Sequence, residues 1–205
     1  MRILITAGPT REKIDPVRFI TNYSSGKMGY AIAQAAAENG NEVILVSGPV
    51  TIPVPDGIAE FHSVESAKEM ADKVFELFST CDAAIMVAAV ADYRPAEICT
   101  SKMKKTDGDL FLRLERTTDI LAELGKRKKS SQKLIGFAAE TDDLLANAQS
   151  KLERKNLDWI VANKVSDGFG SATNTVIMLG KDGSRIDVAT ADKLTVARKI
   201  LETVL

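Results

Sequence analysis

Short apolar runs rich in β-branched residues alternate along this chain with stretches whose apolar residues recur at helical spacing. Arg2–Thr6 reads as a strand, and Lys27–Asn39 carries Met28, Ala31, Ile32, Ala35 and Ala36 on one helix face, closed by Asn39-Gly40. Glu42–Ser47 reads as a buried strand. A turn-rich connection from Pro49 to Gly57 leads through Glu60-Phe61-His62-Ser63, read as polar linker, to a helix over Ser66–Ser79. Asp82–Ala89 follows as an apolar third strand. Strands separated by helices of this length connect by right-handed crossovers, so they build a parallel sheet covered on both faces.

The pattern resumes after a polar middle. Asp119–Lys128 and Asp143–Asn156 read as helices, and Lys133–Ala138 and Asp158–Ala162 as strands. Thr175–Leu179 and Ser184–Val188 flank Lys181-Asp182-Gly183 as a hairpin, and Ala191–Val204 is a terminal helix. In the middle, Leu110, Leu112 and Leu114 alternate. Ser101–Lys105 and Asp109–Arg116 are therefore expected to form a hairpin about Asp107-Gly108, within a projecting flap spanning about 96–116. The expected fold is an α/β three-layer fold with a mostly parallel central sheet and that projecting β-hairpin or flap, a single domain over 1–205.

Charge and cysteine content narrow the function. The 27 basic and 28 acidic residues leave a net charge of −1, which argues against a global grip on nucleic acid or on an anionic membrane. No apolar stretch approaches the roughly 18 residues of a spanning helix. Two cysteines, Cys81 and Cys99, lack metal-ligand spacing and read as packing residues, which suits a reducing, cytoplasmic setting. The single histidine, His62, lies in the polar linker, away from any nucleophile pattern.

Ligands of open α/β sheets bind beyond the C-terminal ends of the strands. After the first strand the chain runs from Gly8 to Gly26 before the helix begins, far longer than a usual βα connection of roughly 2–6 residues. It ends in Ser24-Ser25-Gly26-Lys27, which either holds an anion on free backbone N–H groups or simply caps the helix through a serine. The Gly-x-Gly-x-x-Gly dinucleotide fingerprint and the Gly-Lys-Ser/Thr phosphate loop are both absent. Beyond the third strand, Ala88-Ala89-Val90-Ala91-Asp92 offers small residues beside which a flat ligand could lie, with Asp92 for a ribose hydroxyl or magnesium, or else tight packing and a turn cap. Lys102 and Lys104 share a strand face, which by itself reads as a solvated edge guarded against aggregation. Lys151 and Lys155, one helical turn apart, repel unless an anion sits between them, or snorkel on the surface. Phe137 could stack on a base or pack in the core.

Taken in order, several motifs resemble one family. They are Ile5-Thr6-Ala7-Gly8-Pro9-Thr10-Arg11-Glu12, the run Asp15-Pro16-Val17-Arg18-Phe19-Ile20-Thr21-Asn22-Tyr23-Ser24-Ser25-Gly26-Lys27-Met28-Gly29, and Ala88-Ala89-Val90-Ala91-Asp92-Tyr93-Arg94. Ser101-Lys102-Met103-Lys104-Lys105, Gly136-Phe137-Ala138-Ala139-Glu140-Thr141 and Lys151-Leu152-Glu153-Arg154-Lys155-Asn156-Leu157-Asp158 complete the set. The chain resembles phosphopantothenoylcysteine synthetase, the bacterial CTP-dependent type, along essentially its whole length.

The resemblance implies a Rossmann-like fold and a ligase of coenzyme A biosynthesis. It implies that 4′-phosphopantothenate, CTP and L-cysteine give 4′-phosphopantothenoylcysteine, CMP and pyrophosphate through an acyl-cytidylate, with Mg2+ and without flavin in this chain. Matched by motif, Asn22 and Lys102 become the catalytic candidates, Lys102 reaching the triphosphate from the flap. Met86, Val87, Ala88 and Asp92 would hold the nucleoside. Thr118, Asp119, Ile120 and Leu121 open a helix toward the phosphates, Phe137 lies on the nucleotide, and Lys151 and Lys155 bind phosphates. Asn22, Ser24, Ser25, Gly26, Lys27 and Ala89 fall to phosphopantothenate. The resemblance also implies a homodimer, and either a free-standing enzyme or one half of a fusion with a decarboxylase. An ATP-using ligase of the same family, a nicotinamide-dependent reductase using Tyr23 and Lys27, and a nucleotide-binding module without turnover are the competing expectations.

Overall fold

Eight strands form the central sheet in the spatial order β12-β11-β10-β9-β6-β1-β4-β5. In the computed structural model, which describes residues 1–105, 107–164 and 171–205, they are β1 (Arg2–Ala7), β4 (Glu42–Ser47), β5 (Glu60–Ser63), β6 (Ala83–Met86), β9 (Lys133–Glu140), β10 (Trp159–Lys164), β11 (Thr173–Gly180) and β12 (Arg185–Asp192). The run from β5 to β10 is parallel throughout, and β11 and β12 join it antiparallel as a hairpin. The central strands are buried on both faces, which explains why β1, β4 and β6 read as uninterrupted apolar runs rather than alternating ones.

Helices cover both faces. On one, α1 (Lys27–Glu38) packs with α5 (Lys193–Val204) over Ile3, Ile5, Leu45 and Ile85. On the other, α2 (Ala67–Phe78), α3 (Ile120–Arg127) and α4 (Leu144–Arg154) enclose Leu4, Ile44, Leu134 and Ile160. Successive residues of a strand alternate between the two cores, the period-2 geometry of a pleated strand. The three-layer α/β architecture therefore agrees with the expectation.

The chain passes from β1 to β4 on one side, then returns to place β6 on the other side of β1. That reversal opens a crevice beyond the C-terminal ends of β1 and β6, the topological switch point where ligands of such sheets bind.

Two expectations need correction, and one long connection gains structure of its own. Glu60–Ser63 is not linker: it is the parallel edge strand β5, paired with β4 from Ile44–Glu60 to Ser47–Ser63. Its one-sided, polar pattern is what an edge permits, with Phe61 43% exposed. The flap hairpin between 101–105 and 109–116 does not form. Instead β8 (Leu114–Arg116) pairs antiparallel with β7 (Tyr93–Pro95), and the intervening described residues carry no strand. Leu110, Leu112 and Leu114 are all substantially exposed, so their alternation marks no buried face within one chain. Finally, the long connection from Gly8 to Gly26 holds a small hairpin, β2 (Arg11–Lys13) with β3 (Phe19–Thr21). Arg11 lies over the Phe19 ring, 4.6 Å from its centroid.

Candidate active site

The crevice is a cavity of about 300 Å³ at the switch point. Its floor is stitched together by two threonines. Thr6, fully buried at the end of β1, accepts hydrogen bonds through Oγ1 from the N–H groups of Val87 (3.1 Å) and Ala88 (3.2 Å). This bends the chain out of the sheet directly after Met86, shortening the strand expected to continue to Ala89. Thr10 accepts from Ala91 N–H at 3.0 Å, while its own N–H donates to the Ala89 carbonyl at 3.2 Å. Ala89 and Pro9 form an isolated parallel bridge. The small side chains of 88–91 thus sit on a backbone fixed from both sides.

One wall is the start of α1. Ser24, Ser25, Gly26 and Lys27 all line the cavity. Gly26 occupies the N-cap in a left-handed conformation, φ 76°, and no side chain caps the helix. Ser24 Oγ accepts only the N–H of Gly26 itself, at 3.3 Å. The serine-capping alternative is therefore not realised, and the first-turn N–H groups stay available to an anion. A Cβ on Gly26 would lie 2.6 Å from Val50 Cγ1, so both space and φ demand glycine there.

The opposite wall comes from α3 and α4. Asp119 N-caps α3, accepting from Ala122 N–H at 3.0 Å, and pairs with Lys155 at 2.9 Å. Burial favours its neutral form, but the bonds from Lys155 and Ala122 outweigh this and hold its carboxyl below the usual range. Lys151 pairs with Glu140. Each of the two lysines thus has a carboxylate partner of its own within the chain, which relieves their mutual repulsion. Asp119 also takes one of the N–H groups that the opening of α3 was expected to present to phosphates. Both lysines still line the cavity, as do Asp119 itself, Thr118, Ile120 and Leu121.

The nucleoside candidates Met86, Val87, Ala88 and Asp92 lie between these walls, with Ala89 and Phe137. Phe137 is half-buried and packs against the core on its other side, so stacking and core packing are not exclusive.

Two expected residues stand outside the cavity lining. Asn22 reaches it indirectly, donating through Nδ2 to the Ala89 carbonyl at 3.0 Å. Lys102 is exposed on the flap loop. Tyr23, the proton donor a reductase would need, is 97% exposed. His62 is on β5 and faces Glu60 at 3.4 Å, away from the cavity.

Sequence reasoning missed the far end. Asn163, Asn174 and Lys193 line the cavity from β10, β11 and the start of α5. Lys193 is 7% exposed, and burial followed by the nearby Lys27 lowers its pKa. Its position at the start of an amphipathic helix gave no signal, because only the fold brings α5 beside α1.

Comparison with known proteins places this geometry. Residues 1–205 match the family described as the DNA/pantothenate metabolism flavoprotein C-terminal domain. The chain belongs to that family. The coenzyme A biosynthesis bifunctional protein CoaBC of Bacillus subtilis is 51% identical over 205 residues, covering 98% of this chain and 50% of the relative. The corresponding protein of Escherichia coli is 45% identical over 192 residues, covering 91% of this chain and 47% of the relative. The chain therefore spans about half the length of these relatives. Among solved structures, the C-terminal domain of CoaBC superposes with a TM-score of 0.84 at 49% identity, over 98% of this chain and 92% of that one. The DNA/pantothenate metabolism flavoprotein from Streptococcus pneumoniae follows at 0.82 and 26% identity, over 98% and 97%. This member of the family thus shares its mixed α/β sheet with its structural relatives.

Proposed function

We propose that the chain is a phosphopantothenate–cysteine ligase of coenzyme A biosynthesis, acting in the cytoplasm and using CTP. The observation that carries this reading is the 51% identity to CoaBC along 98% of the chain. The switch-point cavity supports it by gathering nucleotide and phosphopantothenate candidates along one wall-to-wall crevice.

A carboxylate is a poor acyl donor, so the reaction divides into two steps. In the first, a carboxylate oxygen of 4′-phosphopantothenate attacks the α-phosphorus of CTP. The bond to the β-phosphate oxygen breaks and pyrophosphate leaves. In the second, the cysteine amine attacks the acyl carbon of the cytidylate, CMP leaves, and the amine gives up a proton.

The side chains divide the work by charge. Lys151 and Lys155 present ammonium groups to the phosphate chain, which competes for them with Glu140 and Asp119. Lys102 adds a third cation when the flap covers the nucleotide. The open N-terminus of α1, with Lys27, takes the phosphate of phosphopantothenate. Asn22, held to Ala89, orients the acyl group with an amide that donates without competing as a nucleophile. Magnesium enters with CTP as part of the substrate. No group of three or more His, Cys, Asp or Glu that could hold a metal exists among the described residues. A magnesium nucleotide needs only one or two carboxylates beside its own phosphates, and Asp92, which lines the cavity, would supply one.

The exposed apolar surface around Tyr93, Ile98, Leu110, Phe111 and Leu114 supports a homodimer built on the flap. A decarboxylase partner, fused or separate, fits relatives that are bifunctional and of which this chain covers about half.

The two-step route is tested with 4′-phosphopantothenate carrying 18O in its carboxylate. One labelled oxygen appears in CMP if the carboxylate attacks the α-phosphate. Label-free CMP formed alongside product would overturn the acyl-cytidylate.

A further inference from the structure

Among the described residues outside the cavity, Asp15 is the most heavily bonded side chain, and the reaction described above makes no use of it. It is 2% exposed, in the turn joining β2 to β3. Four of its hydrogen bonds are local. Oδ1 accepts from the N–H groups of Val17 and Arg18, each at 2.8 Å, and Oδ2 accepts from Arg18 Nε at 3.0 Å and from Arg18 Nη2. The fifth crosses the molecule: Oδ2 accepts from the backbone N–H of Met103 at 3.1 Å. Arg18 completes the grip by donating through Nη2 to the Met103 carbonyl at 3.2 Å. A third strut joins Cys99 N–H to the Ile14 carbonyl at 3.0 Å.

Met103 is thereby held at both its N–H and its C=O, and its neighbour in sequence is Lys102. Arg18 beside Asp15 holds this carboxyl far below the usual carboxylate range, so both oxygens remain acceptors. An asparagine could not replace it, because its NH2 group would meet an N–H donor on one side of the clamp.

We propose that Asp15 is a positioning residue for the reaction: it holds the root of the flap at Met103, and so limits where Lys102 can reach. This rests on the reading that Lys102 contacts the triphosphate. Without the clamp, the 99–103 segment must be ordered anew at every nucleotide encounter, and the lysine arrives displaced.

The test compares wild type, Asp15→Asn, Lys102→Gln and the double variant. Hydrogen exchange at the Met103 and Cys99 amides reports the clamp, and calorimetry with magnesium CTP reports its consequence. Asp15→Asn should raise Met103 exchange and weaken CTP binding by about tenfold, with kcat falling by roughly 10²-fold and KM for phosphopantothenate unchanged. In the Lys102→Gln background the same substitution should leave CTP affinity where it was, because the group it positions is gone. Fast exchange at Met103 in the wild type would show that no clamp exists. Freed Met103 with undiminished CTP affinity in Asp15→Asn, while Lys102→Gln loses affinity, would overturn the positioning role alone. Undiminished affinity in Lys102→Gln would overturn the reading of Lys102, and the positioning role with it. Should Asp15→Asn fail to fold, Asp15→Glu keeps the charge but misplaces the Met103 bond, and the same effects should appear in smaller measure. Wild-type CTP affinity and kcat in a folded Asp15→Glu that has lost Met103 protection would contradict the proposal.

Discussion

Lys102 and Lys155 are both cations of the expected phosphate site, yet they differ in what else they do. Lys155 is bonded to Asp119, the N-cap of α3, and is largely shielded from solvent. Lys102 is exposed on a loop. Replacing Lys102 with glutamine should therefore lower turnover by roughly 10²-fold while shifting stability by no more than about 0.5 kcal/mol. Steady-state kinetics and a denaturant melt on the same sample check both halves. Near-normal turnover would remove Lys102 from the mechanism. At this scale the sequence was legible in where residues gather, as with the cluster from Ser24 to Lys27, which lies in the cavity wall. It was illegible where charge balance depends on distant partners. Nothing in the spacing of Lys151 and Lys155 shows that Glu140 and Asp119 come to meet them, because the two carboxylates arrive from β9 and the start of α3.

Elements divide into those that shape the cavity and those that only stabilise the sheet. The start of α1 belongs to the first kind. Gly26→Ala forces a side chain into a left-handed backbone and against Val50. It should cost about 1–3 kcal/mol and raise KM for phosphopantothenate, read by urea denaturation and by kinetics. The start of α2 belongs to the second. Ser66 Oγ accepts from Glu69 N–H at 3.2 Å, and Glu69 in turn accepts from Glu65 N–H at 2.8 Å. Ser66→Ala should lose about 1 kcal/mol with kcat and KM unchanged, since no residue of α2 lines the cavity. An effect on KM there would mean that α2 is coupled to the cavity wall through α3, which packs against it. The strong periodicities of α1, α2 and α5 made these helices readable to within a residue or two. β5 was not readable, because an edge strand buries little and so need not be apolar. The strand pairing inside the flap was misread for the opposite reason: three alternating leucines are a strand signal only if something in the same chain covers them.

Across the whole molecule, two properties follow from surface and charge. The exposed side chains of the flap and of β7 and β8 make an apolar area that a second copy would cover. The protein should sediment as a dimer at micromolar concentration in analytical ultracentrifugation, and a monomer would count against this interface. Acid sensitivity is the second. Asp15, Asp119, Glu38, Glu60 and Glu123 all have pKa values lowered by their partners. A carboxyl whose folded value lies below its unfolded one stabilises the fold above the unfolded value. It loses that contribution as pH falls toward the folded value. Urea midpoints should therefore be steady above the ordinary carboxylate range and decline as pH drops through it. The decline should be shallower in Asp15→Asn, which removes the most strongly shifted of these groups. A flat profile in the wild type would contradict the ion-pair geometry. No helix among the described residues is long and apolar enough to cross a membrane.

The most direct test of the account is pyrophosphate release with 4′-phosphopantothenate and magnesium, CTP against ATP, with and without L-cysteine, with the ligated product followed by mass spectrometry. The account predicts release with CTP, stimulated by cysteine and matched by one 4′-phosphopantothenoylcysteine per pyrophosphate. Release with ATP alone would contradict the nucleotide assignment. A folded dimer that binds CTP but releases no pyrophosphate with any combination would contradict the ligase itself.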